Sequence, residues 1–270
     1  MHYQARDDAD RVEEHHFDDG AVVRATWYDL ADPAGGDDPE AFIIDYTSGP
    51  GGTVIAPHFH HVRQFQVVIA GEGARIGKHS APPVTFHYTD PDSPYGPIVP
   101  GEDGRIVFMT LRPRQANGRY YMPGSRGFMK SRAGRNLVRS LPRRDASTTS
   151  NELVELVARE ADGLSAFDLC LAGGEEVVVP AAQGSGGQYH LVCAGSILSE
   201  GREWPRLSLG WVGPLDPAPT LVAGADGAEV LVLQFPVPTQ QEELALAEER
   251  QGPRVERGAG PRTAAVEPGR

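Results

Sequence analysis

Six short apolar runs alternate with polar turns between residues 21 and 113: AVVRATWY, AFIIDYT, GTVIAP, FQVVIAG, VTFHYT and RIVFMTLRP. Each is of strand length and rich in β-branched or aromatic residues. The segments between them, ADPAGGDDPE, SGPGG, TDPDSPYGP and PGEDG, supply the Gly, Pro and Asp that tight turns need. This spacing predicts an all-β sandwich or small barrel over 21–113, and a second strand series predicts another over 151–238. Elsewhere the apolar period fails. Residues 1–20 read as a mobile acidic arm and 114–150 as a basic connector. Residues 239–270 read as a tail that opens with one helical stretch, QQEELALAEER, and is otherwise too polar to order itself.

The two strand series are copies of one unit. IVPGEDGRIVFMTLRP, ending at Pro113, matches LVAGADGAEVLVLQFP, ending at Pro236, an offset of 123 residues. QFQVVIAG matches QYHLVCAG with an offset of 124, which sets Gln64 opposite Gln188 and Gly71 opposite Gly195. Two segments agreeing within one residue imply tandem β units rather than one large domain.

The candidate chemistry lies in GGTVIAPHFHHVRQFQVVIAGEG, residues 51–73. His58 and His60, two apart on an extended segment, point to one side, so their imidazoles converge inside a barrel. His61 has the opposite parity and is expected to point away. Gln64 has the parity to join the pair, although a neutral amide brings no charge to offset a dication. His87, on VTFHYT, is a candidate to approach the pair, and Gln66 is a candidate inward amide for a substrate. Asp90 and Asp92 are expected as turn formers that are candidates to return a carboxylate. His79 is expected at the surface, and His15 and His16 as solvated arm residues.

The spacing Gly52, His58, His60, Gln64, Gly71 resembles the first signature of the cupin family, in which the Gln position is Glu. The second family signature corresponds to TDPDSPYGPI, where Tyr95 stands in place of a ligand histidine. The resemblance spans about residues 21–238. It implies a cupin-type jelly-roll barrel in each copy, hence a bicupin; His58 and His60 would then hold a divalent metal (Fe, Zn, Mn or Ni) in the first barrel, with Gln64 and either His87 or Tyr95 completing a partial shell. In the second copy Ala182 and Gly184 stand at the two histidine positions, leaving Gln188 and His190, so that barrel is expected to be structural or pocket-covering.

Charge narrows the partners. The chain of 270 residues carries a net charge of −12, which argues against nucleic acid and anionic membrane surfaces. Thirteen acids against three bases in the first 45 residues face eleven Arg or Lys and no acid over 105–144. The expected account is neutralisation of the basic segment by the arm, within a chain or exchanged between the subunits of a homodimer. A sharper one makes Arg126, Lys130 and Arg132 a recruiting patch for anions. Cys170 and Cys193 lack metal-ligand spacing, and with no secretory or membrane-spanning segment in view they read as thiols of a cytoplasmic protein.

The expected function is that of a cupin-type enzyme on a small oxygenated or anionic metabolite, with oxygenase chemistry slightly preferred over isomerase, cyclase or lyase chemistry. His58, His60 and Tyr95 are its catalytic candidates, and Gln66, His87 and Tyr95 its substrate contacts. Two alternatives stay open. One is metal-free acid–base catalysis by His58 or His60 with Tyr95; the other is a non-catalytic small-molecule-binding or sensing bicupin.

Overall fold

A computed structural model describes residues 2–30, 39–142, 151–251 and the backbone of 255–257. The chain divides into two compact units. One comprises Arg11–Trp27, Glu40–Ser140 and Thr239–Arg270; the other comprises Met1–Asp10, Tyr28–Pro39 and Leu141–Pro238. Both are built mainly from antiparallel strands, as the turn spacing predicts; in the first unit Gly118–Tyr121 also pairs in parallel with Val255–Arg257.

The first unit contains a seven-stranded sheet in the order Asn136–Ser140, Thr85–Thr89, Gln64–Ala70, Arg105–Arg112, Glu40–Thr47, Val22–Tyr28, Val12–His16. Its central strands, Gln64–Ala70 and Arg105–Arg112, are buried on both faces, as a barrel wall requires. Phe65 packs on Phe86 and Tyr88 at centroid distances of 5.8 and 4.8 Å. The alternate residues Gln64, Gln66, Thr110 and Arg112 face a cavity inside the unit. Phe42, Ile44, Ile98 and Phe108 belong to its apolar cluster, and each such buried side chain contributes about 1.5–3 kcal/mol. Five of the six runs are strands. The sixth, GTVIAP, forms only an isolated bridge between Ile55 and Ile98.

The second unit is an eight-stranded sheet whose main path is His2–Gln4, Leu209–Val212, Gln188–Ser199, Thr220–Gln234, Ser165–Leu171, Glu152–Val157. Its core gathers Phe167, Leu169, Val192, Val230 and Val232.

The units are drawn differently from the expected segments. The arm over 1–20 is split: His2–Gln4 joins the second unit's sheet and Val12–His16 the first's. Both halves are thus paired within the chain. The connector supplies two strands of the first unit, Gly118–Tyr121 and Asn136–Ser140.

The helix Gln240–Arg250 also belongs to the first unit. Its N-cap Thr239 accepts from the Glu242 amide, and acids fill its first turn, where they offset the helix dipole. This helix meets the basic segment, with Glu243 pairing with Arg114 at 3.2 Å and Glu248 with Lys130 at 3.0 Å, and acids of the first 45 residues meet it too, Asp45 with Arg105 at 2.6 Å and Glu40 with Arg112 at 2.5 Å. Glu242 forms a buried pair with Arg63. Residues 143–150 of the connector, and 252–254 and 258–270 of the expected disordered tail, lie outside the described residues. Among the described residues no helix is long and apolar enough to cross a membrane, and Cys170 and Cys193 are free thiols.

Candidate functional site

His58–Phe59 is a short strand paired with Gly118–Tyr121, so that Phe59 faces Tyr120 in register and stacks on it at 4.9 Å. Alternation then turns His58 and His60 together into the cavity, with ring centroids 5.2 Å apart, while His61 lies on the opposite side against Tyr120. Backbone bonds between His58 and Tyr95, at 3.0 and 3.1 Å, bring the turn at 95 onto the histidine strand. The Tyr95 ring thereby rests 4.5 Å from that of His58.

The cavity holds about 440 Å³. Trp27, Phe42, Ile44 and Phe108 are among its walls, and His58, His60, Gln64, Gln66, Tyr95 and Arg112 cluster at its buried floor. The acids on its lining, Glu13 and Asp19, lie toward the solvent side with His15. The histidine expected as a solvated arm residue is thus exposed and at the cavity rim.

Hydrogen bonds on the floor run in one direction. His58 Nδ1–H donates to the Ala56 carbonyl at 2.8 Å, which leaves Nε2 as an acceptor for the Tyr95 hydroxyl at 2.7 Å. Tyr95 oxygen accepts from Gln64 Nε2 at 2.6 Å, and Gln64 Oε1 accepts from Arg112 Nε at 3.1 Å. Arg112 Nη1 donates to Glu40 Oε2 at 2.5 Å. His60 Nδ1–H donates to the Gly118 carbonyl at 2.5 Å, and Arg112 Nη2 lies 3.4 Å from its Nε2.

Burial, reinforced by Arg119, pushes the His58 pKa down to about 3. Burial and then Arg112 hold His60 well below the usual imidazole range. Burial lifts Tyr95 to about 12. At neutral pH all three are therefore uncharged, and the cation of the floor is Arg112, which is 4% exposed.

The four expected metal donors do not assemble around one point. His87 Nε2 donates to Asn136 Oδ1 at 2.9 Å and its Nδ1 lies 3.2 Å from the Gln66 amide, so it braces Gln66 rather than joining the pair. Gln64 turns its oxygen to a guanidinium, the opposite of what a cation would require. Asp92 accepts from His61 and from the 130–131 backbone, and Asp90 pairs with Arg135, so neither carboxylate reaches the floor. Among the described residues no group of three or more His, Cys, Asp or Glu could hold a metal ion. Neutral imidazoles can ligate a dication, but with no carboxylate beside them, an amide turned the wrong way and a resident guanidinium, this set does not fit one.

Arg112 is the floor residue that the sequence did not reveal. The repeat match by its prolines sets Phe235 opposite Arg112. Strand pairing instead joins Leu111 to Phe65 in one unit and Gln188 to Gln234 in the other, so Arg112 lies beside Gln64 as Gln234 lies beside Gln188. The available signal was a charge closing an otherwise apolar strand, RIVFMTLR.

In the second unit Gln188 Nε2 donates to the Pro180 carbonyl at 3.0 Å, and His190 Nε2–H donates to Gln188 Oε1 at 3.2 Å. Burial takes His190 down to about 3. Ala182 and Gly184 supply no donor side chain there, as the sequence indicates.

No family model and no curated protein matches the chain in sequence. In structure it is similar to the bacterial pirin YhhW of Escherichia coli in complex with nickel(II), with a TM-score of 0.54 and 13% identity over 88% of this chain and 99% of that one. It is also similar to a variant of Bacillus subtilis oxalate decarboxylase OxdC, with 0.54 and 10% over 88% and 78%. The coconut allergen cocosin gives 0.51 and 9% over 83% and 84%. At these identities the likeness is one of fold, shared by proteins of quite different kinds.

Proposed function

For a chain with the bicupin fold, two cupin-type jelly-roll barrels in tandem, we propose that the first barrel binds a small, largely apolar organic acid and moves a proton on it without a metal. The observation that carries this is the buried Arg112 guanidinium at the floor of an aromatic-walled cavity. A guanidinium offers a carboxylate paired donors, and the apolar walls make its field strong by excluding water. Arg119, also on the lining, adds a second positive charge. Tyr95 supplies a hydroxyl and His58 an acceptor nitrogen 2.7 Å away, and an anion held beside them would raise the His58 pKa from the low value that burial sets, toward the range a proton-transfer group needs.

A metal-dependent reading has its own support. Both inward histidines donate Nδ1–H to backbone carbonyls, the way metal-bound imidazoles are commonly oriented, and one fold neighbour is a nickel(II) complex. A single titration separates the two. Chelated protein is titrated with phenylacetate, hexanoate and the corresponding amides, reading Trp27 fluorescence against a Trp27→Phe control. Carboxylates should bind and the amides at least about tenfold more weakly, a difference of about 1.4 kcal/mol. The double variant Glu40→Gln, Arg112→Leu should lose carboxylate binding. Binding that appears only after Ni, Zn, Fe or Mn is returned would overturn the metal-free proposal.

A further inference from the structure

We propose that the second barrel retains a binding site for a phenol and that the chain's own Tyr3 occupies it. Tyr3 lies outside the repeated unit, on the three-residue edge strand His2–Gln4, which pairs with Leu209–Val212. Its ring is 4% exposed and packs 5.8 Å from that of Trp204. Gly210 leaves the ring its room, because a Cβ there would overlap the Tyr3 ring. The hydroxyl reaches His190 Nδ1 at 3.0 Å.

The direction of that last bond follows from its neighbours. Gln188 must present Nε2 to the Pro180 carbonyl, which fixes Oε1 toward His190. That oxygen takes the proton of His190 Nε2, and a neutral imidazole has only one. His190 Nδ1 is therefore a lone pair, and Tyr3 is the donor. The place that Tyr3 fills in the second barrel is thus bounded by the Trp204 ring and ends in a buried acceptor, which is the complement of a phenol. The first barrel has the same pairing in Tyr95 on His58, but there the phenol comes from within the repeat.

A strand paired over three residues at a sheet edge is a unit that opens locally. A free phenol and Tyr3 then compete for one recess. This inference is independent of what the first barrel binds, and wild-type protein serves as the control for any phenol bound there.

The test uses the full chain with Tyr3→Ala and the side-chain analogue 4-methylphenol. Tm should fall by about 5 °C or more. Saturating 4-methylphenol should restore at least half of the loss, with one more molecule bound than in wild type by equilibrium dialysis. Toluene, which lacks the hydroxyl, should restore less. Equal stoichiometry in variant and wild type, or rescue by toluene as complete as by 4-methylphenol, would overturn the proposal. Should Tyr3→Ala not fold, Tyr3→Phe keeps the ring and removes only the donor. Its His190 Nδ1 resonance in long-range ¹H–¹⁵N spectra should then move toward that of an acceptor without a partner, and an unmoved resonance counts equally against the assignment.

Discussion

Arg112 beside His60, with the Tyr95 hydroxyl on His58, gives the two inward imidazoles donors and the buried floor its positive charge, which are two services of a metal ion. Adding a real dication would place two positive charges at roughly 5 Å from Arg112, a repulsion of about 6–7 kcal/mol at an effective dielectric near 20, less what Glu40 returns from the far side. Gln64 fits this arrangement because a neutral amide can bridge Arg112 and Tyr95, accepting from one and donating to the other. Two predictions follow from the charge. Gln64→Glu alone should give an Arg112 ion pair and no stoichiometric metal. Gln64→Glu combined with Arg112→Leu and Glu40→Gln should bind Zn²⁺ or Ni²⁺ at one equivalent, measured by elemental analysis after desalting; metal bound as well by the single variant would show that Arg112 is not the obstacle. The inward pair and the outward His61 were legible in the sequence because strand alternation fixes them. Arg112 was not, because its place beside Gln64 depends on the register of two strands whose sequence match in the repeat is one residue out of step with their pairing.

The helix Gln240–Arg250 shows how an element can be legible while its role is not. Its helical propensity and Thr239 cap can be read from the chain, but an acid-rich stretch reads as solvated. Few apolar residues dock it; Ala245 and Leu246 are buried, and Leu246 packs with Val62 and Ala116. The remaining attachment is polar, part ion pairs and part hydrogen bonds. Glu249 Oε2 accepts from the Asn117 and Gly118 amides at 3.2 Å each, and Oε1 accepts from Tyr120 at 2.8 Å. Gly118 has no room for a Cβ because that carboxylate and the Tyr120 ring crowd it, and its carbonyl receives the His60 proton. Glu249 is thus a positioning residue for His60, acting through one residue, Gly118. Glu249→Ala should weaken carboxylate binding several-fold and also lower Tm, because it removes the acceptor of the 117 and 118 amides and of the Tyr120 hydroxyl, and Glu249→Gln should retain part of both. Equal affinity in all three proteins would separate the helix from the site. Arg63→Met, in contrast, leaves Glu242 buried without its cation and should cost about 3–5 kcal/mol in chemical denaturation.

Across the molecule, the repeat was legible because it rests on local matches, whereas the sharing of the first 16 residues between two sheets was not. A three-residue strand carries no periodicity, and its partner at Leu209–Val212 is some 200 residues away. What the two barrels share physically is a set of buried neutral histidines: His58 and His190 near 3, His87 near 4, and His60 also depressed, each chiefly by burial. An unfolded imidazole takes its proton near pH 6.5, so between there and about 3–4 the unfolded chain binds more protons, and stability falls as pH falls. Each such group adds a slope of up to about 1.4 kcal/mol per pH unit. Asp90, whose carboxyl is depressed with Arg135 bonded to it against the cost of burial, adds its share only below the ordinary carboxylate range. Urea midpoints should therefore be flat from pH 8 to about 7 and drop steeply from about 6 downward. His87→Gln, whose amide can still meet Asn136, should shallow that drop by roughly one histidine's slope. A variant whose stability loss is the same at pH 8 and pH 5 would mean that the acid limb belongs to other groups, because only a titrating His87 makes the difference between the two proteins depend on pH.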